Sequence, residues 1–209
     1  MERSALRGLA GIAAPPLCAA CAAECRAAEV VCGRCERELR DAPALVGPGP
    51  PGVDLAVAAA EYAGCARAIA HGLKFSRRLA LAHLAADAVA RACPAGELRG
   101  TVVPVPPAPL RRLWRGFDPA EELALALAEL TSLPYAACLR RRSGPRQVGR
   151  PRSARLAEPP RVALRGRAPA EALLVDDVRT TGATITACAD ALRSGGCARI
   201  VALTLAFSR

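Results

Sequence analysis

Residues 171–184, EALLVDDVRTTGAT, are the most informative part of the sequence about the fold and raise the first question about function. An apolar run ends in two adjacent carboxylates, Asp176 and Asp177, and then in a turn rich in threonine and glycine. Two neighbouring like charges repel each other, and neither belongs in a core without a partner. The pair therefore lies either on a solvated rim or against a ligand that carries hydroxyls or a metal ion.

The turn that follows, Thr180-Thr181-Gly182-Ala183-Thr184, joins a predicted strand to a predicted helix. Its small residues let backbone N–H groups converge, the helix N-terminus adds positive potential, and three hydroxyls can donate hydrogen bonds. These are the properties of a phosphate-binding loop. The carboxylates just upstream can accept hydrogen bonds from sugar hydroxyls or face a metal ion. A phosphorylated ribose would satisfy both halves of the stretch.

Strands alternate with helices on either side of this stretch. The segments DLAVAAAEY, TVVPVP and RIVALTLAF are typical of strands, and SRRLALAHLAADAVARAC of a helix with Ser76 as its N-cap. Asp118 is predicted to cap another helix with Pro119 in its first position, and ATITACADALRSGG to form the helix after the turn. The alternation predicts an α/β fold with a mostly parallel sheet flanked by helices, in which ligands bind beyond the carboxyl ends of the strands.

The N-terminal region carries a second pattern, CAAC and CGRC, in which two C-x-x-C pairs are separated by ten residues. Each pair can turn two thiolates toward one ion, and two such pairs complete a tetrahedral zinc site. The predicted ligands are Cys18, Cys21, Cys32 and Cys35. Four thiolates leave no open coordination position, so this zinc would be structural. A disulfide pair, or a site that has lost its metal, is the alternative.

The other six cysteines divide into one beside this array and five farther along the chain. Cys25 is a spare thiol that could replace one of the four ligands. The rest are scattered singly in apolar surroundings and are expected to be small core residues. They are Cys65, Cys93, Cys138, Cys188 and Cys197.

A Pro/Gly-rich stretch, DAPALVGPGPPGVD, separates the cysteine region from the alternating elements. Such a composition is typical of a boundary between structural units. We predict an N-terminal segment with a zinc ribbon at residues 1–45, a linker at 46–53 and a larger domain at 54–209.

The composition of the 209-residue chain is that of a globular protein, with 52% hydrophobic and 23% charged residues. The formal charge of +10 suits anionic partners such as phosphates or nucleic acid. Lys74 is the only lysine among many arginines, which makes it a candidate site residue where a compact ammonium is wanted; a lysine retained by chance is the alternative.

The N-terminal sequence MERSALRGLAGIAAPPLCAAC imitates a weak signal peptide, but Pro15 and Pro16 interrupt it. No apolar run in the sequence is long enough to cross a bilayer. We therefore expect no membrane insertion and a cytoplasmic location.

Several segments together resemble a known family. The run LLVDDVRTTGAT resembles the fingerprint of type I phosphoribosyltransferases, which has apolar residues, two acids and a T-T-G-x-T loop. The segments VVPVP, RRLWRGFDPAEELALALA, LKFSRRLALAHLA and RRRSGPRQVGRPRSAR resemble those of ComF-type competence proteins, as does the double C-x-x-C preceded by proline. The resemblance covers nearly the whole chain. It departs at Asp118, where the family usually has Asn, and at Arg179 and the region after Arg155.

The resemblance implies a type I phosphoribosyltransferase fold that binds phosphoribosyl pyrophosphate (PRPP) with Mg²⁺. Residues 180–184 would hold the 5′-phosphate, and the catalytic pair Asp176 and Asp177 would engage the ribose 2′- and 3′-hydroxyls. Groups around Val105, Pro106 and Arg112 would face the pyrophosphate, with Lys74 as a further binding residue. The Arg-rich loop 140–155 would close over the pyrophosphate as a lid. The sequence does not identify the acceptor nucleophile.

The same arginines allow a different function. An Arg-rich loop and a zinc ribbon can bind a nucleic-acid backbone by charge. ComF-type proteins are associated with the uptake of single-stranded DNA during natural transformation, beside a helicase partner, and the ribosyl pocket would then be a sensor or idle. A third interpretation is that the loop only solvates a basic face. Trp114 and Phe117 are the only nearby residues that could stack on bases, and both are expected to pack in the core.

Overall fold

The computed structural model describes residues 16–26, 29–75, 79–107, 117–142 and 160–208. These residues form five helices and seven strands. The helices are α1 (Gly33–Arg40), α2 (Gly64–Phe75), α3 (Leu79–Ala92), α4 (Pro119–Thr131) and α5 (Ala183–Ser194). The strands are β1 (Leu45–Gly47), β2 (Leu55–Glu61), β3 (Thr101–Pro104), β4 (Leu139–Arg141), β5 (Val162–Leu164), β6 (Glu171–Arg179) and β7 (Arg199–Phe207).

A five-stranded sheet in the order β1-β2-β7-β6-β3 forms the centre of the fold. Strands β2, β7, β6 and β3 run parallel, with Leu173 of β6 opposite both Val102 of β3 and Val201 of β7. Only the short edge strand β1 is antiparallel. The predicted α/β fold with a mostly parallel sheet flanked by helices is confirmed.

Alternate residues of each strand point to opposite sides of the sheet, and helices pack on both of its faces. Leu173 and Val175 pack on the side of α2, α3 and α4. Ala172 and Leu174 pack on the side of α5 and of the hairpin formed by β4 and β5. Burial of a leucine as complete as that of Leu173 stabilises the fold by about 2 kcal/mol.

Strands β3 and β6 are neighbours whose following helices lie on opposite faces of the sheet. Helix α4 comes after β3 on one face, and α5 comes after β6 on the other. A crevice therefore opens between the carboxyl ends of the two strands, which is where ligands bind in sheets of this kind.

Helix α4 begins as the sequence predicts. The backbone of Asp118 is extended, its carboxylate accepts a hydrogen bond of 3.3 Å from Ala120 N, and Pro119 is the first helical residue. Helix α5 ends before Gly195, again as predicted. The predicted cap Ser76 lies outside the described residues. Helix α2 is an addition to the sequence predictions, which contain no helix at residues 64–75.

The cysteine region packs on the same core as the helices. Cys18, Val31, Cys35 and Leu39 belong to the hydrophobic cluster that contains α2 and α3. Strand β1 falls at the boundary of the predicted linker and pairs with β2. The division into domains stays a prediction. None of the helices in the described ranges combines the length and the apolar character that a bilayer crossing requires.

Candidate functional sites

The cysteine cluster, defined as Cys18, Cys21, Cys32 and Cys35, brings its four Sγ atoms within 4.8 Å of one another. The Sγ atoms of Cys21 and Cys32 are 3.7 Å apart. An ion held tetrahedrally at the usual zinc–sulfur distance would separate its sulfurs by about 3.8 Å. Among the described residues the cluster comprises these four and not Cys25. The cluster is compatible with a structural zinc ion.

Backbone N–H groups in this cluster stabilise negative charge on a thiolate, which is the form that binds a cation. The N–H groups of Ala20 and Cys32 donate to Cys18 Sγ at 3.4 and 3.2 Å. Burial raises the pKa of the Cys18 thiol, but the backbone N–H groups around it lower the pKa more, to about 6. Burial and the neighbouring thiols raise the pKa of Cys35. Four thiolates this close need a positive charge between them, which a bound dication supplies.

The five remaining isolated cysteines are buried, as expected for small core residues. Each has at most 9% of its surface exposed. Burial is the largest cause of the raised pKa of their thiols, so these groups are poor nucleophiles at neutral pH. They are Cys65, Cys93, Cys138, Cys188 and Cys197.

A cavity of about 400 Å³, called the pocket below, occupies the crevice beyond β3 and β6. Its walls come from segments spread over most of the chain. They are lined by Tyr62, Lys74, Val105, Pro106, Pro107, Phe117, Asp118, Pro119, Ala120, Arg141, Asp176, Asp177, Val178, Thr180, Thr184 and Ser208. A volume of this size suits a small-molecule ligand.

The two adjacent aspartates both line the pocket, but they differ in how their negative charge is compensated. Asp177 Oδ2 lies 2.8 Å from Lys74 Nζ in an ion pair that is largely shielded from solvent. Asp176 is half-buried, and its Oδ1 accepts a hydrogen bond of 2.9 Å from Asp177 N. Burial, together with the charge of Asp177, raises the pKa of Asp176 well above its usual value. The charge of Asp177 is thus compensated by the Lys74 ammonium, while burial favours the protonated form of Asp176.

Lys74 reaches this pair from the last turn of α2. Lys74 lines the pocket, and its role as a binding residue stays a prediction. The ammonium adds a positive charge to a wall that also contains Arg141. The pocket therefore presents both carboxylates and cations to a ligand.

The turn at residues 180–184 contributes Thr180 and Thr184 to the pocket wall. Gly182 is the N-cap residue of helix α5 and has a φ of +79°, and a Cβ at this position would lie 3.1 Å from Cβ of Pro50. Thr181 Oγ1 accepts from Ala183 N at 3.5 Å, which is a weak hydrogen bond. The glycine is required by the turn, and the turn places the start of α5 beside the aspartates.

Two further predicted residues, Val105 and Pro106, also line the pocket. Val105 N donates to Val175 O at 2.9 Å, which extends the contact between β3 and β6 and holds this segment beside the aspartates. Arg112, Trp114 and the part of the Arg-rich loop at residues 143–155 lie outside the described residues. Phe117 differs from expectation, because it lines the pocket instead of packing in the core.

The sequence predictions missed several pocket residues. Asp118 was identified as a helix cap and as a departure from the family pattern but not as a site residue, yet it lies in the pocket wall, and its charge contributes to the raised pKa of Asp176. Its sequence signal is the acid at the end of RGFD. Tyr62 and Ser208 carry no comparable signal, since each follows a strand whose end reaches the pocket only after folding.

The chemistry available in the pocket follows from these groups. Three carboxylates can accept hydrogen bonds from hydroxyls or share a hydrated divalent cation, while Lys74, Arg141 and the start of α5 favour anionic oxygens. Comparison of the sequence with models of known protein families and with curated proteins gives no match.

Proposed function

We propose that this chain is a ComF-type phosphoribosyltransferase-domain protein that binds PRPP and transfers its phosphoribosyl group to an acceptor. One observation carries the proposal: Asp176 and Asp177 line the same pocket as Thr180 and Thr184. A ligand in the pocket can therefore place a diol against the carboxylates and a phosphate ester at the start of α5. The resemblance of LLVDDVRTTGAT to the type I phosphoribosyltransferase fingerprint supports the same ligand.

In this proposal the 5′-phosphate lies at the turn of residues 180–184, where backbone N–H groups, hydroxyls and the helix dipole favour it. The ribose hydroxyls donate to Asp176 and Asp177. The pyrophosphate extends toward Val105 and Pro106, within the same pocket as Arg141. A cation held with the ligand would favour the ionised form of Asp176, because a nearby positive charge lowers the pKa of a carboxyl group.

The carboxylates that line the pocket fit the requirements of Mg²⁺, which takes one or two protein carboxylates, ligand oxygens and waters. Asp176 and Asp177 would hold it together with the ribose hydroxyls, and Asp118 lies in the same wall. When bound, Mg²⁺ neutralises charge on the pyrophosphate and makes it a better leaving group.

The reaction breaks the bond between the anomeric carbon and the pyrophosphate oxygen and forms one between that carbon and the acceptor. Positive charge develops on the ribose ring as the leaving group departs. The carboxylates of Asp176 and Asp177 stabilise this charge, and the cations of the pocket stabilise the departing anion. Fixing both ends of the ligand supplies the remaining acceleration.

The proposal is tested by calorimetric titration of the full chain with PRPP and Mg²⁺. The double variant Asp176→Ala/Asp177→Ala is expected to bind at least about 100-fold more weakly, since each charged hydrogen bond contributes about 1.5–3 kcal/mol. The matched control Asp87→Ala/Asp190→Ala removes the same charge from exposed positions of α3 and α5 and should bind as the wild type does. Equal affinity of the two double variants would end the ribose-site assignment.

Binding of single-stranded DNA is a second candidate function, favoured by the hairpin of β4 and β5. Arg140, Arg142, Arg161 and Arg165 are exposed on or beside this hairpin. Residues 130–142 and 160–170 contain no acidic side chain, so this surface is positively charged. Such a surface suits a phosphate backbone.

The variant Arg140→Ala/Arg142→Ala tests this function while it keeps Arg141, the arginine of β4 that lines the pocket. Affinity for a single-stranded oligonucleotide should fall, and the slope of log K against log salt should decrease by about 1.4 for two lost phosphate contacts. The control Arg67→Ala/Arg91→Ala removes the same charge from α2 and α3. An unchanged slope in the hairpin variant would refute electrostatic DNA binding there.

A further inference from the structure

Helix α2 touches the cysteine cluster at one end and the pocket at the other. At its start, Cys65 N donates to Glu38 Oε1 at 2.8 Å, and the Cys65 thiol donates to the carbonyl oxygen of Cys35 at 3.1 Å. Cys35 is a member of the cluster, and Glu38 lies one turn beyond it on α1. At the other end, Lys74 forms the ion pair with Asp177.

The body of α2 is a stiff connection between these contacts. Its buried residues recur at helical spacing on the face that packs on the core, and they are Cys65, Ala66, Ile69, Ala70 and Leu73. The backbone advances about 14 Å from Cys65 to Lys74. Closely packed helices shift as units, so a change at the first turn of α2 reaches its last turn.

Both helices, α1 and α2, contribute to the contact at the start of α2. The first turn of α2 contains no acidic residue of its own, and the carboxylate of Glu38 takes that place from the neighbouring helix α1. Gly64 has a φ of +44°, and a Cβ there would collide with Oε1 of Glu38. The absence of a side chain at Gly64 thus lets the carboxylate reach the helix N-terminus.

We propose that α2 couples the cysteine cluster to the pocket, with Glu38 as the positioning residue through which the coupling acts. A metal ion in the cluster fixes Cys35 and the first turn of α1. Glu38 and the carbonyl of Cys35 then hold the start of α2, and the helix holds Lys74 on Asp177. By thermodynamic linkage, a ligand that engages Asp177 changes the metal affinity of the cluster by the same factor as the metal changes the affinity for that ligand.

Lys74 is the only lysine of the chain, so selective ¹³C,¹⁵N-lysine labelling produces one side-chain NMR signal from the pocket. Asp177→Asn defines the signal of Lys74 without its ion-pair partner. The Lys74 signal of the zinc-loaded Glu38→Ala chain should shift toward that reference, as should the signal of the wild type after a chelator removes zinc. Glu38→Gln retains an oxygen acceptor and should restore most of the wild-type signal.

Glu36→Ala is the matched control, because Glu36 lies on the same helix but pairs with Arg40 instead of α2. Its Lys74 signal should equal that of the wild type. If folded Glu38→Ala gives the wild-type Lys74 signal, the proposed coupling is overturned. This test does not require the metal-free chain to fold, because Glu38→Ala is measured with zinc bound.

The part of the test that measures ligand binding rests on the proposed function. In Glu38→Ala the affinity for PRPP with Mg²⁺ should fall about fivefold, at the low end of typical coupling between sites. If the wild type does not bind PRPP, the proposed function fails, whereas the NMR signal of Lys74 still decides whether α2 couples the two sites.

Discussion

In both the cysteine cluster and the pocket, groups that carry like charge when ionised lie close together, but their repulsion is reduced in different ways. In the cluster four thiols lie within 4.8 Å of one another, and a metal ion is the charge that suits them. In the pocket two adjacent carboxylates are made compatible by Lys74 and by a raised pKa at Asp176. The cluster is compatible with an added cation, while the pocket contains a cation of the protein, Lys74, which a ligand can displace from Asp177.

The two sites also differ in how they are assembled. All four cysteines lie between residues 18 and 35, in two turns and the start of α1. The pocket takes residues from positions as distant in sequence as Tyr62 and Ser208. A single change should therefore abolish the metal site, whereas single changes in the pocket should have graded effects.

Cys35→Ser is expected to reduce bound zinc from about one ion per chain to almost none. The free energy of unfolding should fall by more than about 3 kcal/mol, because binding of a structural metal is coupled to folding. Metal analysis and thermal melting measure the two effects. Cys25→Ser is the control, since Cys25 is outside the cluster, and it should keep both the metal and the melting temperature. Equal zinc content in the two variants would contradict the assignment of the ligands.

Gly182→Ala should destabilise the chain by about 1–2 kcal/mol, because a Cβ is unfavourable at a φ of +79°. It should also weaken PRPP binding, since the new Cβ meets Pro50 at 3.1 Å and shifts the turn beside the pocket. Gly196→Ala is the control at the other end of α5, with a φ of +91° and no heavy atom within 4 Å of the new Cβ. It should lose similar stability and no affinity, and a loss of affinity in both variants would argue against a local role of the turn.

Asp176→Asn should stabilise the unliganded chain at neutral pH, on the order of 1 kcal/mol. Burial and the charge of Asp177 raise the pKa of Asp176 above 3.8 in the folded state, so the folded chain binds a proton that the unfolded chain releases. The wild type therefore loses stability as pH rises from the unfolded pKa through the folded one.

Melting curves measured across this pH range should show a small advantage of Asp176→Asn in acid and a larger one toward neutral pH. Asp190→Asn, at an exposed position of α5, should show no such trend. If the advantage of Asp176→Asn were constant with pH, the raised pKa would not be its cause. The same variant should bind PRPP more weakly, because an amide is a poorer acceptor for ribose hydroxyls than a carboxylate.

The features of this protein that could be predicted from its residues alone are those that depend on short-range order. Alternating strands and helices predicted the α/β sheet, the pair Asp118-Pro119 predicted the start of α4, and C-x-x-C spacing predicted the cysteine cluster. Each of these patterns reflects the geometry of a few consecutive residues, which is the same wherever the segment lies in the fold.

The meetings of distant residues were not predicted, because they depend on how the helices pack on the sheet. The ion pair of Lys74 with Asp177, the contact of Glu38 with Cys65 and the presence of Asp118 in the pocket depend on how α2, α1 and α4 pack against the sheet. Packing is set by the combined burial of many apolar side chains and leaves no mark in the spacing of the polar residues that it brings together. For this reason the sequence indicated the groups of each site, and the fold determined their partners.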